Sequence, residues 1–385
     1  MIKQRASGRK DGYACISGLA DICERYDRKR WSDKMKSSEI KTIEKVKYKK
    51  DIFNIRWRVT TLCNYQCAFC IQGNPEEHAR QARGETAELR NSICDKIVRL
   101  VESAENQYRV VNVSLIGGEV TILKDFPDIL ERLVRSDFSG EMRFSITTNF
   151  SAAPDYYQRL IKPFQTADSH KNRVLSLSAS FYPEYVSIEQ FSRKLREIYR
   201  FAGNKKHAFR SLFEKAGLAK RDCLSLSAGI PIFNDCDFDM FVKIKDSFKD
   251  TDIRISPIII RKYDTDLSDE TLKSYIARGE KNLRVTDIYG KTRYYPTIQA
   301  LGASLEHTDT FCPTGYLCDA GIRNIWIDAF GSVKRCPAIG STMCMGSILD
   351  DTFQLYTSPT VCTSDHCSCG VFGKIEKRET KKGNR

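Results

Sequence analysis

Three cysteines stand close together directly after an apolar, strand-like run, and they limit what this chain can fold into more than any other feature. They are Cys63, Cys67 and Cys70, in the stretch RVTTLCNYQCAFCIQG. Soft thiolate ligands suit iron–sulfur centres, and three of them can hold three irons of a cubane cluster. The fourth iron then has no protein ligand, so it can chelate a small molecule and pass it one electron.

A zinc site is the alternative for the same loop. Structural zinc takes four ligands, usually as two pairs of Cys or His. The nearest extra candidate is His78, which lies eight residues past Cys70 on a polar stretch. The spacing therefore favours an iron–sulfur cluster over zinc.

Length and cysteine content indicate the class of protein and its compartment. The chain has 385 residues and 15 cysteines, and its first 30 residues are charged and lack the apolar core of a signal peptide. In such a chain, clustered cysteines bind metal more often than they form disulfides. No apolar run approaches membrane-spanning length. We therefore expect a cytoplasmic protein with no membrane partner, long enough for a large α/β domain with smaller attachments.

The net charge of +13 is concentrated at the two ends of the chain. Residues 1–50 carry +8 and residues 374–385 carry +4, which leaves +1 for residues 51–373. Basic segments can bind phosphates, but charge runs at chain ends are more often solvated arms. No RNA-binding module is visible, so nucleic acid is not the expected partner.

From residue 52 the sequence alternates between strand and helix patterns, which is typical of a parallel sheet with crossover helices. The predicted strands are 52–60, 110–118, 142–149, 173–181, 223–232 and 252–260, and the predicted helices are 88–104, 125–136, 154–161, 187–201 and 238–248. Right-handed crossovers place the carboxyl ends of all such strands on one face. The expected fold is therefore α/β, a partial (β/α)6 barrel of the TIM type.

Small and polar residues stand at the predicted strand ends. They are Gly117, Gly118 and Glu119 after the second strand, Thr148 and Asn149 after the third, and Ser178 and Ser180 on the fourth. Glycines allow the backbone to approach a ligand closely, and a glutamate can accept a hydrogen bond from an ammonium group. Each group alone also fits a turn, a helix cap or a strand face with small residues.

Taken in order, these motifs resemble the radical S-adenosylmethionine (SAM) superfamily. CxxxCxxC has an aromatic residue, Phe69, before its last cysteine, and IGGEVT, TTN and SLSAS follow in barrel order. The resemblance implies that Cys63, Cys67 and Cys70 hold a [4Fe–4S] cluster whose open iron binds the methionine part of SAM. Reductive cleavage would then give a 5′-deoxyadenosyl radical that abstracts a substrate hydrogen.

The same resemblance implies roles for the residues at the strand ends. Phe69, the GGE motif, Thr148, Asn149 and the two serines would contact SAM, and the electron would come from a donor such as flavodoxin or ferredoxin. One departure from the family pattern is Val120, where proline is common after GGE. This departure removes no ligand.

A second group of cysteines lies near the carboxyl end of the chain. Residues 324–328 and 332–336 predict a hairpin, which gives the pattern C-x12-G-x4-C with Cys318, Gly331 and Cys336. Cys362, Cys367 and Cys369 follow as C-x4-C-x1-C. A zinc ribbon is the alternative for an all-cysteine site with hairpin geometry.

The first half of this pattern resembles the SPASM and Twitch extensions of radical SAM enzymes. The resemblance implies one auxiliary [4Fe–4S] cluster, with Cys318, Cys336, Cys367 and Cys369 as ligands and Cys362 competing for a place. Cys312 and Cys344 are expected to be bystanders.

We therefore expect five parts: a basic extension (1–50), the barrel (51–260), a bridging segment (261–311), the auxiliary-cluster domain (312–373) and a basic tail (374–385). The substrate is expected to be a peptide side chain or a small molecule such as a sugar. The alternatives are RNA or nucleotide modification by the same chemistry and a non-catalytic, zinc-binding interaction protein.

Overall fold

The computed structural model describes residues 51–67, 70, 79–168, 171–203, 223–232, 235–259, 283–286, 292–295, 317–336, 344–350, 352–362 and 377–378. The predictions for residues 1–50, for most of the bridging segment and tail, and for His78 fall outside these residues. So do those for Phe69, Cys312, Cys367 and Cys369. Among the described residues, no helix is both long and apolar enough to cross a membrane.

Strands and helices alternate through the first half of the described chain, as the sequence predicts. The order is β1 (Ile52–Thr60), α1 (Ala87–Ser103), β2 (Val110–Gly117), α2 (Phe126–Arg135), β3 (Glu141–Thr148), α3 (Pro154–Thr166), β4 (Arg173–Ser180), α4 (Ile188–Phe201), β5 (Leu224–Ile232), α5 (Asp235–Ser247) and β6 (Arg254–Ile259). A short 3-10 turn, Val120–Ile122, follows β2. The predicted type and order of these elements are confirmed, and most predicted ends lie within two residues of the observed ends.

The later strands are short. They are β7 (Leu283–Thr286), β8 (Thr292–Tyr295), β9 (Leu317–Cys318), β10 (Asn324–Ile327), β11 (Ser332–Lys334), β12 (Cys344–Ser347), β13 (Thr360–Val361) and β14 (Lys377–Arg378). β7 and β8 form an antiparallel hairpin. β13, β9 and β14 form a separate three-stranded sheet.

Nine strands form one sheet, in the order β12-β11-β10-β1-β2-β3-β4-β5-β6. All neighbours from β10 to β6 are parallel, and only β11 and β12 pair in the antiparallel sense. The mainly parallel α/β fold agrees with the predicted partial barrel. The predicted hairpin of the C-terminal region, β10–β11, continues this sheet, because β10 pairs directly with β1.

The core lies between the sheet and its helices. Alternate residues of β1, among them Phe53, Ile55 and Trp57, are fully buried with the apolar stripe of α1. The residues between them point to the opposite face, because side chains alternate along a strand. The sheet therefore has an apolar outer face under the helices and an inner face of different composition.

Candidate active site at the carboxyl edge of the sheet

Hydrogen bonds join the ends of the first three strands. Gly118 N donates to Thr60 O at 2.9 Å, and Glu119 N donates to Leu62 O at 2.7 Å. The cysteine loop therefore begins against the GGE segment, as the barrel order predicts.

Gly117 and Gly118 lie directly against the backbone at the start of the cysteine loop. A Cβ on Gly117 would lie 2.3 Å from Thr60 O, and one on Gly118 would lie 2.1 Å from Leu62 O. Such distances are far below van der Waals contact, so no side chain fits. The structure thus gives these glycines a packing role against the neighbouring backbone, and their predicted contact with a ligand stays a prediction.

Glu119 is fully buried and ties the GGE segment to the end of β3. Its Oε1 accepts hydrogen bonds from Thr121 N (3.0 Å), Thr121 Oγ1 (2.7 Å) and Thr148 Oγ1 (2.8 Å), and its Oε2 accepts from Asn149 N. Burial raises the pKa of the carboxyl, and these donors oppose that rise. Glu119 thus accepts its observed hydrogen bonds from residues of this chain. Its predicted contact with a SAM ammonium group stays a prediction.

Asn149 connects this network to the cysteine loop. Its Nδ2 donates to Asn64 Oδ1 at 2.9 Å, and Asn64 Nδ2 donates to Ser151 Oγ at 3.0 Å. Asn64 lies between the first and second cysteines. The segment after β3 therefore positions the middle of the loop.

The three cysteines of the loop are reduced and half-buried. Cys70 N donates to Cys67 O at 3.1 Å, which closes a turn between the last two. Burial and then the other two thiols raise the pKa of Cys67 to about 11. Burial also raises the pKa of Cys63, although the Tyr65 N–H, 3.4 Å from its sulfur, opposes the rise. The mutual effects mean that the sulfurs share one neighbourhood.

Aromatic side chains cover this loop, although the sequence pattern did not predict this contact. Tyr65 stacks on Tyr185 with ring centroids 3.8 Å apart and meets Tyr182 edge-on at 5.7 Å. The Tyr185 hydroxyl accepts a hydrogen bond from Gln66 N at 2.8 Å. Burial raises the pKa of Tyr182 to about 12, and a hydrogen bond from the Ser180 hydroxyl to the tyrosine oxygen opposes the rise. Ser180 thus reaches the loop through tyrosines, while no contact of Ser178 with the loop is described.

Two further residues stabilise the loop and its surroundings, and the sequence pattern did not predict them either. Glu85 accepts hydrogen bonds from Thr60 Oγ1 (2.5 Å), Thr61 N (2.8 Å) and Thr61 Oγ1 (2.5 Å). Lys194 on α4 donates to Phe150 O (2.9 Å), Ser151 O (3.4 Å) and Ala152 O (2.9 Å). Neither residue stands in a motif, so only the fold reveals them.

Backbone and side-chain contacts join the segments that carry three of the C-terminal cysteines. Cys318 pairs with Thr360 across β9 and β13, and Cys362 directly follows β13. Arg335, the neighbour of Cys336, donates to the Thr360 hydroxyl and, at 3.3 Å, to Val361 O. Cys318, Cys336 and Cys362 are all buried, whereas Cys344 is exposed.

The turn of the β10–β11 hairpin contains the glycine of the predicted pattern. Gly331 has a φ of 83°, a region that favours glycine, and its N–H donates to Asp328 O at 3.2 Å. A side chain here would also meet Leu349 at 2.9 Å. Gly331 thus allows the tight return that carries the chain from Cys318 to Cys336.

The sequence of the region just described matches a known family. Residues 57–170 match the family model "Radical SAM superfamily". A probable GTP 3′,8-cyclase of Metallosphaera sedula is 30% identical over 103 residues, 27% of this chain and 28% of that protein. A GTP 3′,8-cyclase of Edwardsiella ictaluri is 31% identical over 104 residues, 26% of this chain and 28% of that protein. The matched part thus spans little more than a quarter of either relative.

Structure comparison finds Streptococcus suis SuiB bound to S-adenosylmethionine. The two are 11% identical with a TM-score of 0.36, over 78% of this chain and 64% of SuiB. The matched family model covers the cysteine loop, the GGE segment and the TTN segment, which the hydrogen bonds join into one site. Residues 57–170, which contain this site, therefore form a radical SAM domain.

Proposed function

We propose that this chain holds a [4Fe–4S] cluster on Cys63, Cys67 and Cys70 and uses it to cleave SAM reductively, with hydrogen abstraction from a substrate. One observation carries the proposal. The loop with the three cysteines is hydrogen-bonded to the GGE and TTN segments at the carboxyl edge of a parallel sheet, and this is the region that matches the family.

The donor set fits such a cluster. Burial and neighbouring thiols raise the pKa of Cys63 and Cys67, so the negative charge of their thiolates is not balanced until a metal cation binds. Among the described residues, no group of three or more His, Cys, Asp or Glu side chains is arranged to hold a single metal ion. A cubane differs from a single ion because each thiolate binds a different iron.

When bound, the cluster and SAM supply a one-electron cleavage that gives a 5′-deoxyadenosyl radical. The residues of this chain hold the site in shape. Glu119 and Asn149 fix the strand ends, and Asn64 fixes the loop. Tyr65 and Tyr182 cover the loop and help to exclude water from a reactive site.

The C-terminal cysteines support an auxiliary cluster as part of the same proposal. Cys318 and Cys336 are two of the four expected ligands, and the backbone contacts of their segments with residues 360–361 favour Cys362 in the competition for a place. Cys367 or Cys369 would complete the set, and both lie outside the described residues. Zinc remains the competing occupant, because four thiolates suit it equally well.

We propose only the class of the substrate, which is either a peptide side chain or a small molecule. Both curated relatives are named GTP 3′,8-cyclases, which favours a small molecule or nucleotide. A flavodoxin or ferredoxin is the proposed electron donor.

The test begins with oxygen-free reconstitution of the full chain. We expect about four irons per chain for each cubane, and 5′-deoxyadenosine after addition of SAM and dithionite. Cys67→Ala should abolish SAM cleavage, whereas Cys344→Ala, the same change at an exposed cysteine, should leave it intact. Cys336→Ala should lower the iron content and leave SAM cleavage measurable. Stoichiometric zinc with no 5′-deoxyadenosine would instead favour the non-catalytic interaction protein.

A further inference from the structure

The inner face of the sheet carries a row of hydroxyl groups. The strand registers align four serines on four successive strands, namely Ser114, Ser145, Ser176 and Ser225. Ser145 Oγ donates to Ser114 Oγ at 2.8 Å, while Ser176 and Ser225 are exposed. Arg56 on β1 continues the row, since it pairs with Ser114 on one side and with Trp326 of β10 on the other.

A second polar row lies one step closer to the cysteine loop. Thr147 pairs with Ser178, Ser178 with Ser227, and Ser227 with Arg254 of β6. Arg58 lies at the β1 end, two residues beyond Arg56 on the same face, and pairs with Ile116 of β2. Two rows of hydroxyl groups are thus bordered by arginines.

This composition is unusual for the inside of a barrel. The interior of a TIM-type barrel is normally filled by branched apolar side chains that pack in layers. Hydroxyl and guanidinium groups cost free energy in a packed core unless they are hydrogen-bonded. Since Thr147, Ser176 and Ser225 are exposed, the inner face is an open polar surface and suits a polar ligand.

The guanidinium group of Arg58 is suited to bind an anion. Its Nε is buried and has no hydrogen-bond partner within the part of the chain that the structure describes. The carboxylates that act on it, Asp328 and Glu85, are already engaged. Asp328 Oδ1 accepts from the backbone N–H groups of Phe330 and Ser332, both at 3.0 Å, and Glu85 accepts from the threonines that begin the cysteine loop.

The indole of Trp326 fixes the two arginines. The Arg58 and Arg56 guanidinium carbons lie 5.5 Å and 5.8 Å from the ring centroid, within the range of cation–π attraction. A guanidinium held in one plane loses less entropy when it binds a phosphate or carboxylate. Lys334 also pairs with Trp326, so three cationic side chains stand at this end of the inner face, where Asp328 and Glu85 are the carboxylates that act on Arg58.

We propose that the inner face binds a phosphorylated, hydroxyl-bearing small molecule, such as a sugar phosphate or nucleotide, with its phosphate at Arg56 and Arg58 and its hydroxyl groups along the row of serines that begins at Ser114. The choice of this molecule as the reaction's substrate rests on the function proposed above, whereas its binding needs neither cluster nor SAM. A peptide usually requires a free sheet edge or apolar pockets for its side chains. The two rows offer arginine and hydroxyl groups instead.

The proposal is tested by titrating ribose 5-phosphate, ribose and inorganic phosphate into the full chain and measuring binding by calorimetry or NMR. Ribose 5-phosphate should bind more tightly than either fragment. Arg58→Gln should weaken it about tenfold, as expected for one lost charge-assisted hydrogen bond. Ser176→Ala should weaken it about threefold, a smaller loss that suits a neutral donor. Arg109→Gln is the matched control, because that side chain is 86% exposed.

The outcomes separate the two proposals. Equal affinity for ribose and ribose 5-phosphate, or no change in Arg58→Gln, would overturn the substrate class. If Arg58→Gln does not fold, the same binding measurement is made on Arg58→Lys and Ser176→Ala. Their thermal midpoints show whether these variants are folded. Cys67→Ala should bind ribose 5-phosphate as the unaltered chain does and fail only in SAM cleavage. SAM cleavage without ribose 5-phosphate binding would refute the substrate class alone.

Discussion

Phe150 holds a strained backbone beside the site. Within the described part of the chain it is the one non-glycine residue with a positive φ, at 61°. Its ring is buried against Tyr157 and Phe191, so packing keeps the residue in that conformation. Lys194 adds three hydrogen bonds to the carbonyls of the same turn, and its ammonium lies 5.6 Å from the Phe150 ring. Strain of this kind persists only where the surroundings determine the backbone.

Lys194→Met should therefore lower both stability and SAM cleavage. We expect the free energy of unfolding to fall by about 1–3 kcal/mol, because carbonyls of the turn lose a charged donor. The turn carries Asn149 and Ser151, which position Asn64 in the cysteine loop, so less 5′-deoxyadenosine should form. Denaturant unfolding and product assay measure the two effects. Lys162→Met, at an exposed position of α3, should change neither, and equal behaviour of the two variants would contradict the assigned role.

At the scale of elements, Glu85 links the end of β1 to the residues just before α1. Its carboxylate accepts three hydrogen bonds from Thr60 and Thr61, and Thr60 Oγ1 accepts one from Leu62 N at 3.0 Å. The first residues of the cysteine loop thus have a fixed direction before any cluster is bound.

Glu85→Gln should loosen that start of the loop. An amide nitrogen replaces one acceptor, so at least one of the three donors loses its partner, at a cost of about 1–3 kcal/mol. We expect less iron per chain after reconstitution and an altered electron paramagnetic resonance signal from the reduced cluster. Glu88→Gln is the control, because Glu88 is exposed on the first turn of α1. An iron content and signal equal to those of the unaltered chain would show that Glu85 does not position the loop.

Local pattern was enough to predict the elements of the barrel and the order of its motifs. Alternation along β1 and the helical spacing of Ile93, Ile97 and Val101 depend on near neighbours, and the burial follows them. The bracing residues depend on distant contacts. Lys194 lies 44 residues from Phe150, and no short stretch of sequence contains both. The same reason explains why the close approach of the GGE glycines to the backbone of Thr60 and Leu62 was not predicted.

At the scale of the molecule, the C-terminal region and the barrel share one sheet. β10 pairs with β1 over four residue pairs, from Asn54 with Asn324 to Trp57 with Ile327. Ile325 and Ile327 are fully buried in the same core cluster as Ile55 and Trp57. The hairpin therefore covers the edge of β1, the strand that leads into the cysteine loop.

A chain that ends after residue 316 should consequently lose more than an auxiliary cluster. It would expose the edge of β1 and part of the core, and an uncovered hydrophobic edge favours aggregation. We expect a lower thermal midpoint, aggregation and loss of SAM cleavage, measured by calorimetry, light scattering and 5′-deoxyadenosine formation. A chain that ends after residue 378 is the control and should match the unaltered protein. Ile327→Ala, which should cost about 2–5 kcal/mol, tests the contact without removing any cysteine. A monomeric 1–316 chain with an unchanged midpoint and full SAM cleavage would show instead that the barrel is complete without β10.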